Sequence, residues 1–214
     1  MSARANILSR IRTRQGKAVT VRAAEREAVA QYLTAHPQGP RPQTGDDARA
    51  RFRERALGLS TTIDELQSPA EVPAAVARYL RGLGLAPAAV CWPEFAVLDW
   101  QGQGVSIESR AARGDDLVGV TGAFCAIAET GTLMMCSGPG TPPATSLLPE
   151  THIAVLRRDR IVVGMEDAWA LLRSEHEALP RAVNFISGPS RTADIEQTVT
   201  LGAHGPYRVH ILLV

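Results

Sequence analysis

The sequence of 214 residues lacks the features that mark several classes of protein. No apolar run approaches the ~20 residues that a membrane-spanning helix requires. The opening stretch, residues 1–20, is basic and polar and has no apolar centre of the kind found in secretory signals. Three scattered cysteines, Cys91, Cys125 and Cys136, form no C-x-x-C pair, which argues against a zinc or iron–sulfur site built from cysteine. We therefore expect a cytoplasmic protein with no metal or cofactor of its own.

Nucleotide-binding motifs and a strong net charge are also missing. The chain contains no G-x-x-x-x-G-K-[ST], and no G-x-G-x-x-G follows a predicted strand. The formal net charge of +1 gives no electrostatic reason to expect nucleic acid as a partner. The charge is uneven, because residues 1–67 carry twelve basic and seven acidic side chains. Eleven of the twelve are arginines, which we interpret as a solvated surface.

The sequence pattern changes near residue 68. Before it, three segments show helical periodicity, at residues 3–14, 21–35 and 44–57. After it, a capping box at residues 68–71 opens a helix, and apolar runs then alternate with helical segments. We predict an N-terminal helical arm over residues 1–67 and an α/β domain over residues 68–214.

The α/β domain contains continuous apolar runs, which are typical of strands covered on both faces. They lie at residues 88–92, 117–120, 132–136, 152–156, 182–186 and 209–214. Together with a clear helix at residues 166–176, they predict an open, three-layer, mostly parallel sheet. Ligands of such folds bind at the carboxyl ends of the strands.

The most informative segment is S-G-P-S-R-T-A-D-I-E at residues 187–196, directly after an apolar run. Its pattern predicts a strand, a tight loop and a helix N-terminus, which points backbone N–H groups at an anion. Arg191 adds a guanidinium that can bind a carboxylate or phosphate through two hydrogen bonds. The alternative is a capped helix with an exposed arginine. The ligand-binding residues predicted here are Ser187, Gly188, Ser190, Arg191, Thr192 and Asp194.

A second loop of this kind follows the run 132–136 and begins with Ser137 and Gly138. We expect the two loops to face one crevice and bind one anion, the alternative being two turns that only end strands. Glu129 precedes the same run in an apolar stretch, where it is a candidate general base or nucleophile, or an anchor for the glycine turn. The neighbouring residues predicted to contact the ligand are Thr130, Gly131 and Thr132.

His204 is the second catalytic candidate, because it lies in a glycine-flanked loop where the backbone is free to position it. No two histidines have the H-x-x-x-H spacing of metal ligands. A metal held by Glu129, His152, Asp194 and His204 would require all four to converge. We therefore predict no metal site.

Five motifs, in order, resemble a known family. They are G-V-T-G-A at residues 119–123, A-E-T-G-T at 128–132, S-L-L-P with H-I at 146–153, S-G-P-S with T-A-D-I-E at 187–196, and H-G-P at 204–206. From about residue 70 to residue 214 the chain is thus similar to the lactate-utilization domain family. The resemblance implies a fold similar to those of ribose-5-phosphate isomerase, glucosamine-6-phosphate deaminase and CoA transferases.

The resemblance also implies a role in oxidising L-lactate to pyruvate alongside two partner proteins, of which at least one carries iron–sulfur clusters. The chain has no cysteine-rich, ferredoxin-like extension of the kind that longer iron–sulfur relatives carry, so the clusters are expected in the partners. The loop at residues 137–146 is rich in proline where many relatives are expected to have a basic residue.

Two hypotheses from different classes follow. In the first, the chain is a non-redox accessory or substrate-binding subunit of a lactate-oxidising iron–sulfur assembly, with the Arg191 loop holding a small carboxylate and the basic arm offering a docking surface. In the second, it is a stand-alone enzyme of the sugar-phosphate isomerase or CoA-transferase type. There Glu129 would act as base or nucleophile on a small anionic metabolite held by the two loops.

Overall fold

The computed structural model describes residues 2–18, 20–42, 45, 47–192 and 200–214. Contacts divide the chain into two compact units, Met1–Arg41 and Pro42–Val214. The first unit contains α1 (Ala3–Arg14) and α2 (Ala23–Ala35), neither of which has a buried residue. Among the described residues, no helix combines the length and apolar character needed to cross a bilayer.

The second unit is an α/β structure that begins with α3. Its helices are α3 (Ala48–Gly58), α4 (Val72–Gly82), α5 (Ala144–Leu147) and α6 (Met165–Glu175). Its strands are β1 (Thr62–Glu65), β2 (Ala88–Cys91), β3 (Ser106–Ser109), β4 (Val118–Gly122), β5 (Cys125–Ile127), β6 (Thr132–Cys136), β7 (Thr151–Leu156), β8 (Ile161–Val162), β9 (Val183–Ile186), β10 (Arg191–Thr192), β11 (Thr200–Leu201) and β12 (Arg208–Leu213).

The larger sheet has six strands in the order β1-β12-β7-β4-β2-β3, and every neighbouring pair is parallel. Helices cover both faces. On one face α4 packs through Tyr79, whose ring stacks on His210 with a centroid distance of 4.0 Å. On the other, the α5 carbonyl of Thr145 lies so close to Gly119 that a side chain there would collide with it. The predicted mostly parallel α/β fold is confirmed.

The segment from α3 to β1 belongs to this unit, although the sequence predicted a boundary near residue 67. Phe52 and Ala56 of α3 are buried in the main core. β1 pairs in parallel with β12, from the far end of the chain. Sequence patterning missed β1, because T-I-D-E contains two acidic residues and the strand depends on a partner that no local pattern reveals.

A second sheet has the strand order β8-β5-β6-β9. β6 pairs antiparallel with both β5 and β9, whereas β5 pairs in parallel with β8. One face packs on α6 through a cluster that contains Met134, Ala168 and Leu172. The apolar runs at 132–136 and 182–186 therefore form strands as predicted, but in a separate and mainly antiparallel sheet. This pairing decides where the candidate loops lie.

Candidate functional site

The turn at residues 129–132 joins β5 to β6 and rests on α3. Gly131 donates its backbone N–H to the Ile127 carbonyl at 2.9 Å and has a φ of +70°. A Cβ added to Gly131 would lie 2.6 Å from the backbone nitrogen of Ala56 in α3. Only glycine combines that φ with so close an approach. The turn is thus fixed against the backbone of α3.

The loop that follows β9 meets the same turn. Because β6 and β9 are antiparallel, the end of β9 lies beside the start of β6. The Ser187 Oγ is 2.7 Å from the Thr132 Oγ1, which also accepts a hydrogen bond of 2.8 Å from the Thr130 hydroxyl. Three predicted ligand-binding residues, one from the loop and two from the turn, therefore share a chain of hydroxyl groups.

The end of α3 is the point on which loop and turn converge. Gly188 has a φ of +81°, and a Cβ there would lie 2.5 Å from the Leu59 carbonyl oxygen. The Arg191 Nη2 donates to that carbonyl at 3.2 Å and to the Ser60 hydroxyl at 2.5 Å. Arg191 thus ties the loop to the residues that follow α3. Its predicted role in binding an anion stays a prediction.

The predicted helix N-terminus does not form at Arg191 and Thr192. These residues are β10 and pair antiparallel with β11. Ser190 donates its N–H to the Pro206 carbonyl, and its carbonyl accepts from the Gly202 N–H, each at 2.9 Å. These backbone hydrogen bonds continue the pairing of β10 and β11. Asp194 lies outside the described residues.

The second Ser-Gly-Pro loop lies at the opposite end of the same pair of strands. The Ser137 N–H donates to the Ala182 carbonyl at 2.9 Å, and the Ser137 Oγ accepts from the Ala182 N–H at 2.8 Å. At ~3.3 Å per residue, Ser137 is ~17 Å along β6 from Thr132. The expectation that both loops face one crevice is wrong, because β6 and β9 run antiparallel. Ser137 and Gly138 are separated from the other predicted residues.

His204 is exposed and lies beside Ser190. Its backbone N–H donates a long hydrogen bond, 3.4 Å, to the Ser190 Oγ. In the described part of the chain, no hydrogen bond or ion pair joins His204 to Glu129. Catalysis by His204 stays a prediction without geometric support from the Glu129 turn.

A cleft with a volume of about 570 Å³ opens between α3 and the turn. Its lining residues are Pro42, Arg51, Glu54, Arg55, Gly58, Leu59, Glu129 and Thr130. Two of these, Glu129 and Thr130, were predicted from the sequence. The volume lies within the range of small-molecule sites.

Arg51 and Arg55 are the functional candidates that sequence reasoning missed. They are four residues apart on α3 and therefore share a face, beside the buried Phe52 and Ala56. The sequence does contain a signal for them, because each directly precedes one of two apolar residues, Phe52 and Ala56, that are four positions apart. The regular alternation of arginines along the helix obscures this signal. Four arginines look equivalent in sequence, but only two of them line the cleft.

Among the residues that the structure describes, no hydrogen-bonded ion pair neutralises the charges in the cleft. The Arg51 Nε is buried and has no hydrogen-bond partner among the residues that the structure describes. By contrast, Arg49 and Arg53 pair with Glu65 outside the cleft, Arg53 at 3.9 Å. Glu129 is half-buried, and no described residue pairs with its carboxylate. The side chains that line the cleft thus carry guanidinium groups and two carboxylates, those of Glu54 and Glu129.

His152 and His210 lie inside strands of the large sheet and away from the cleft. Burial lowers the pKa of each to about 4. His152 Nε2 is 2.8 Å from the Thr121 hydroxyl, and His210 Nδ1 is 2.8 Å from the Thr62 hydroxyl. Within the described ranges, no three His, Cys, Asp or Glu side chains are placed to hold a metal ion.

Comparisons with known proteins identify relatives of the second unit. A family model described as the LUD domain matches residues 56–214. Lactate utilization protein C of an Exiguobacterium species is 40% identical over 121 residues, which are 54% of this chain and 52% of that protein. Lactate utilization protein C of Bacillus subtilis is 32% identical over 127 residues, 58% of this chain and 53% of that protein. The chain thus matches about half the length of these curated relatives.

A solved structure agrees with these matches. The crystal structure of a DUF162 family protein from Deinococcus radiodurans superposes with a TM-score of 0.58 and 26% sequence identity. The superposition covers 78% of this chain and 96% of that one. The family model begins at residue 56, so Arg51 and Arg55 lie just before the matched segment.

Proposed function

The chain belongs to the LUD domain family, and from this membership and the cleft beside α3 we propose that it is a non-redox accessory or substrate-binding subunit in lactate utilization. In this role it binds a small carboxylate while partner proteins oxidise L-lactate to pyruvate. The relatives named lactate utilization protein C support the pathway. The observation that carries the site is the convergence of the Glu129 turn and the Ser187 loop on the end of α3.

The chemistry of the cleft suits a 2-hydroxy or 2-keto acid. A guanidinium binds a carboxylate through two parallel hydrogen bonds, and Arg51 and Arg55 supply two such groups. Glu129 and Thr130 add an acceptor and a hydroxyl for the oxygen on the adjacent carbon. A ligand with both functions on neighbouring carbons can engage both sides of the cleft.

In this proposal the electrons leave through partner proteins. Oxidation of L-lactate to pyruvate releases two electrons and two protons, and the acceptors would be iron–sulfur clusters carried by the partners. This chain has three cysteines, fewer than the four thiolates of a standard cluster. Cys91 lies in the large sheet, whereas Cys125 and Cys136 lie in the small one.

Co-purification tests the assembly. The full chain carrying an affinity tag would be isolated from its native host grown on L-lactate, and bound proteins would be identified and analysed for iron and for cluster signals by electron paramagnetic resonance. We expect iron–sulfur proteins to be retained and the isolated chain to turn over no lactate. Rapid lactate oxidation by the isolated chain would overturn the accessory role.

A second candidate function is supported by the Glu129 carboxylate, which lines the cleft without a partner among the described residues. In a stand-alone enzyme of the isomerase or CoA-transferase type, this group would act as base or nucleophile. Glu129→Gln should then abolish turnover of a small anionic metabolite while the fold is retained. The exposed Glu177→Gln variant is the matched control, and full activity of Glu129→Gln would exclude this function.

A further inference from the structure

A second cleft, with a volume of about 410 Å³, lies at the end of the large sheet where β7 and β12 begin. The residues that line this Arg208 cleft include Leu148, Glu150, Leu201, Gly205, Tyr207 and Arg208. Among the described residues, none lines both this cleft and the one beside α3. We propose that the Arg208 cleft binds a free α-amino acid with an aliphatic or aromatic side chain. This site goes beyond the proposed function and does not depend on it.

Arg208 supplies a guanidinium that a ligand can reach. Its Cζ lies 4.8 Å from the centroid of the Tyr207 ring, and its Nη1 makes a long hydrogen bond, 3.4 Å, to the Thr151 hydroxyl. In the described part of the chain no acceptor bonds its Nε or Nη2, and neither atom is buried. A carboxylate can accept from both of these nitrogens through two parallel hydrogen bonds.

Glu150 adds a carboxylate to the same cleft. The backbones of Glu150 and Arg208 are adjacent, because the Arg208 N–H donates to the Glu150 carbonyl at 2.9 Å. Within the described ranges, however, the Glu150 carboxylate forms no ion pair, either with Arg208 or with another residue. A ligand therefore meets a cation and an anion that do not neutralise each other. A zwitterion can pair with both, whereas an anion or a cation pairs with one and is repelled by the other.

The apolar part of the cleft determines which side chain the ligand carries. Leu148, Leu201 and Tyr207 are all exposed. Tyr207 is held in the wall by Gly202, since a Cβ added to Gly202 would lie 3.1 Å from the Tyr207 Cβ. An aliphatic or aromatic group on the ligand covers this apolar surface and removes it from water, which favours binding. The volume of the cleft is within the range of small-molecule sites.

Calorimetric titration of the full chain tests the proposal with L-leucine, glycine and two analogues of leucine. 4-Methylpentanoate is leucine without its amino group, and 3-methylbutylamine is leucine without its carboxylate. We expect L-leucine to bind about 5-fold or more tightly than 4-methylpentanoate and about 10-fold or more tightly than 3-methylbutylamine. Glycine should bind more weakly than L-leucine, because it has no side chain to cover the apolar wall.

Variants test each charge in turn. Arg208→Gln should weaken L-leucine binding by about 10- to 100-fold, because it removes hydrogen bonds between charged groups. Glu150→Gln should weaken it by about 2- to 5-fold, since Glu150 is exposed and an exposed ion pair contributes less. The matched controls are Arg173→Gln and Glu177→Gln, which change exposed residues outside the cleft and should bind as the wild type does. Circular dichroism would establish that each variant is folded.

The outcomes are decisive even if one variant fails. Binding of 4-methylpentanoate as tight as that of L-leucine would overturn the assignment of a zwitterion, and no detectable binding of L-leucine would overturn the site. L-Leucine binding that Arg208→Gln leaves unchanged would do the same. Should Arg208→Gln unfold, the comparison of L-leucine with its two analogues on the wild type decides. L-Lactate binding is a separate readout, which Arg208→Gln should leave unchanged, so this proposal and the proposed function can fail independently.

Discussion

The two Ser-Gly-Pro loops have almost the same sequence signal and entirely different surroundings. Ser187 pairs with the hydroxyl of Thr132, and Gly188 lies against α3 with a positive φ. Ser137 instead binds the backbone of Ala182, and an added Cβ on Gly138 would lie 3.0 Å from the Thr141 hydroxyl, with no backbone atom within 4 Å. The Ser187 loop is therefore part of the candidate site, whereas the Ser137 loop lies at the opposite end of β6 and β9.

The difference shows which information a loop motif carries. Glycine and proline after an apolar run indicate that a strand ends, and they do so correctly in both cases. They do not indicate at which end of the sheet the strand finishes. That depends on the direction of the neighbouring strand, and β6 and β9 are antiparallel. Two similar loops are thus ~17 Å apart rather than in one crevice.

The two loops are expected to differ most in how much stability is lost when their glycine is replaced by alanine. Gly188→Ala would place a Cβ 2.5 Å from the Leu59 carbonyl oxygen at a φ of +81°, so we expect a loss of about 2–4 kcal/mol in the free energy of unfolding. Gly138 has no positive φ, so Gly138→Ala should lower the free energy of unfolding by less than about 1 kcal/mol. Urea unfolding of both variants measures these losses. Equal losses would contradict the prediction that only Gly188 lies tightly packed against α3.

A smaller difference is expected for the threonines. Thr132 is buried and its Oγ1 bonds both Thr130 and Ser187, so Thr132→Val should lower the free energy of unfolding by about 1–2 kcal/mol. The control at the other loop is Thr141→Val, because the hydroxyl of the half-buried Thr141 makes one hydrogen bond among the described residues, to the Cys136 carbonyl. It should cost about 0.5–1 kcal/mol. A larger loss for Thr141→Val would contradict the prediction that the Thr132 hydroxyl contributes more to stability.

Much of the fold could be predicted from the sequence because its signals are local. The run 132–136 corresponds to β6, and the helix predicted at 166–176 corresponds to α6. Continuous apolar runs indicate strands covered on both faces, whatever the partner. The second sheet could not be predicted in this way, since the same apolar pattern fits parallel and antiparallel neighbours.

The candidate site was only partly predictable for the same reason. Glu129 and Thr130 stand out through the glycine turn that follows them, and they do line the cleft. Arg51 and Arg55 come from a helix that sequence patterning assigned to a solvated arm, and only packing against the turn gives them a role. Arg191 stands out in sequence, but its visible contacts hold the protein together.

The positioning role of Arg191 can be measured by a double-mutant cycle with Ser60. If Arg191 acts through the hydrogen bond to the Ser60 hydroxyl, Arg191→Ala and Ser60→Ala should be coupled by about 0.5–1.5 kcal/mol in the free energy of unfolding. Their effects on L-lactate affinity should be non-additive as well. The exposed Arg181, next to the other loop, is the control and should show no coupling with Ser60. If the effects of Arg191→Ala and Ser60→Ala on stability were fully additive, Arg191 would not act through Ser60.

The smallest expected effect is also the most direct check of which loop belongs to the site. Ser137→Ala removes a side-chain acceptor from the Ala182 N–H, while the backbone bond from Ser137 to the Ala182 carbonyl remains, so the loss should be about 0.5–1 kcal/mol. Ser187→Ala should weaken L-lactate binding, because Ser187 supports the turn that carries Thr130. Ser137→Ala should leave it unchanged, since the strand separates the two residues by ~17 Å. Equal losses of affinity would mean that both loops act on one ligand, which the antiparallel pairing of β6 and β9 does not allow.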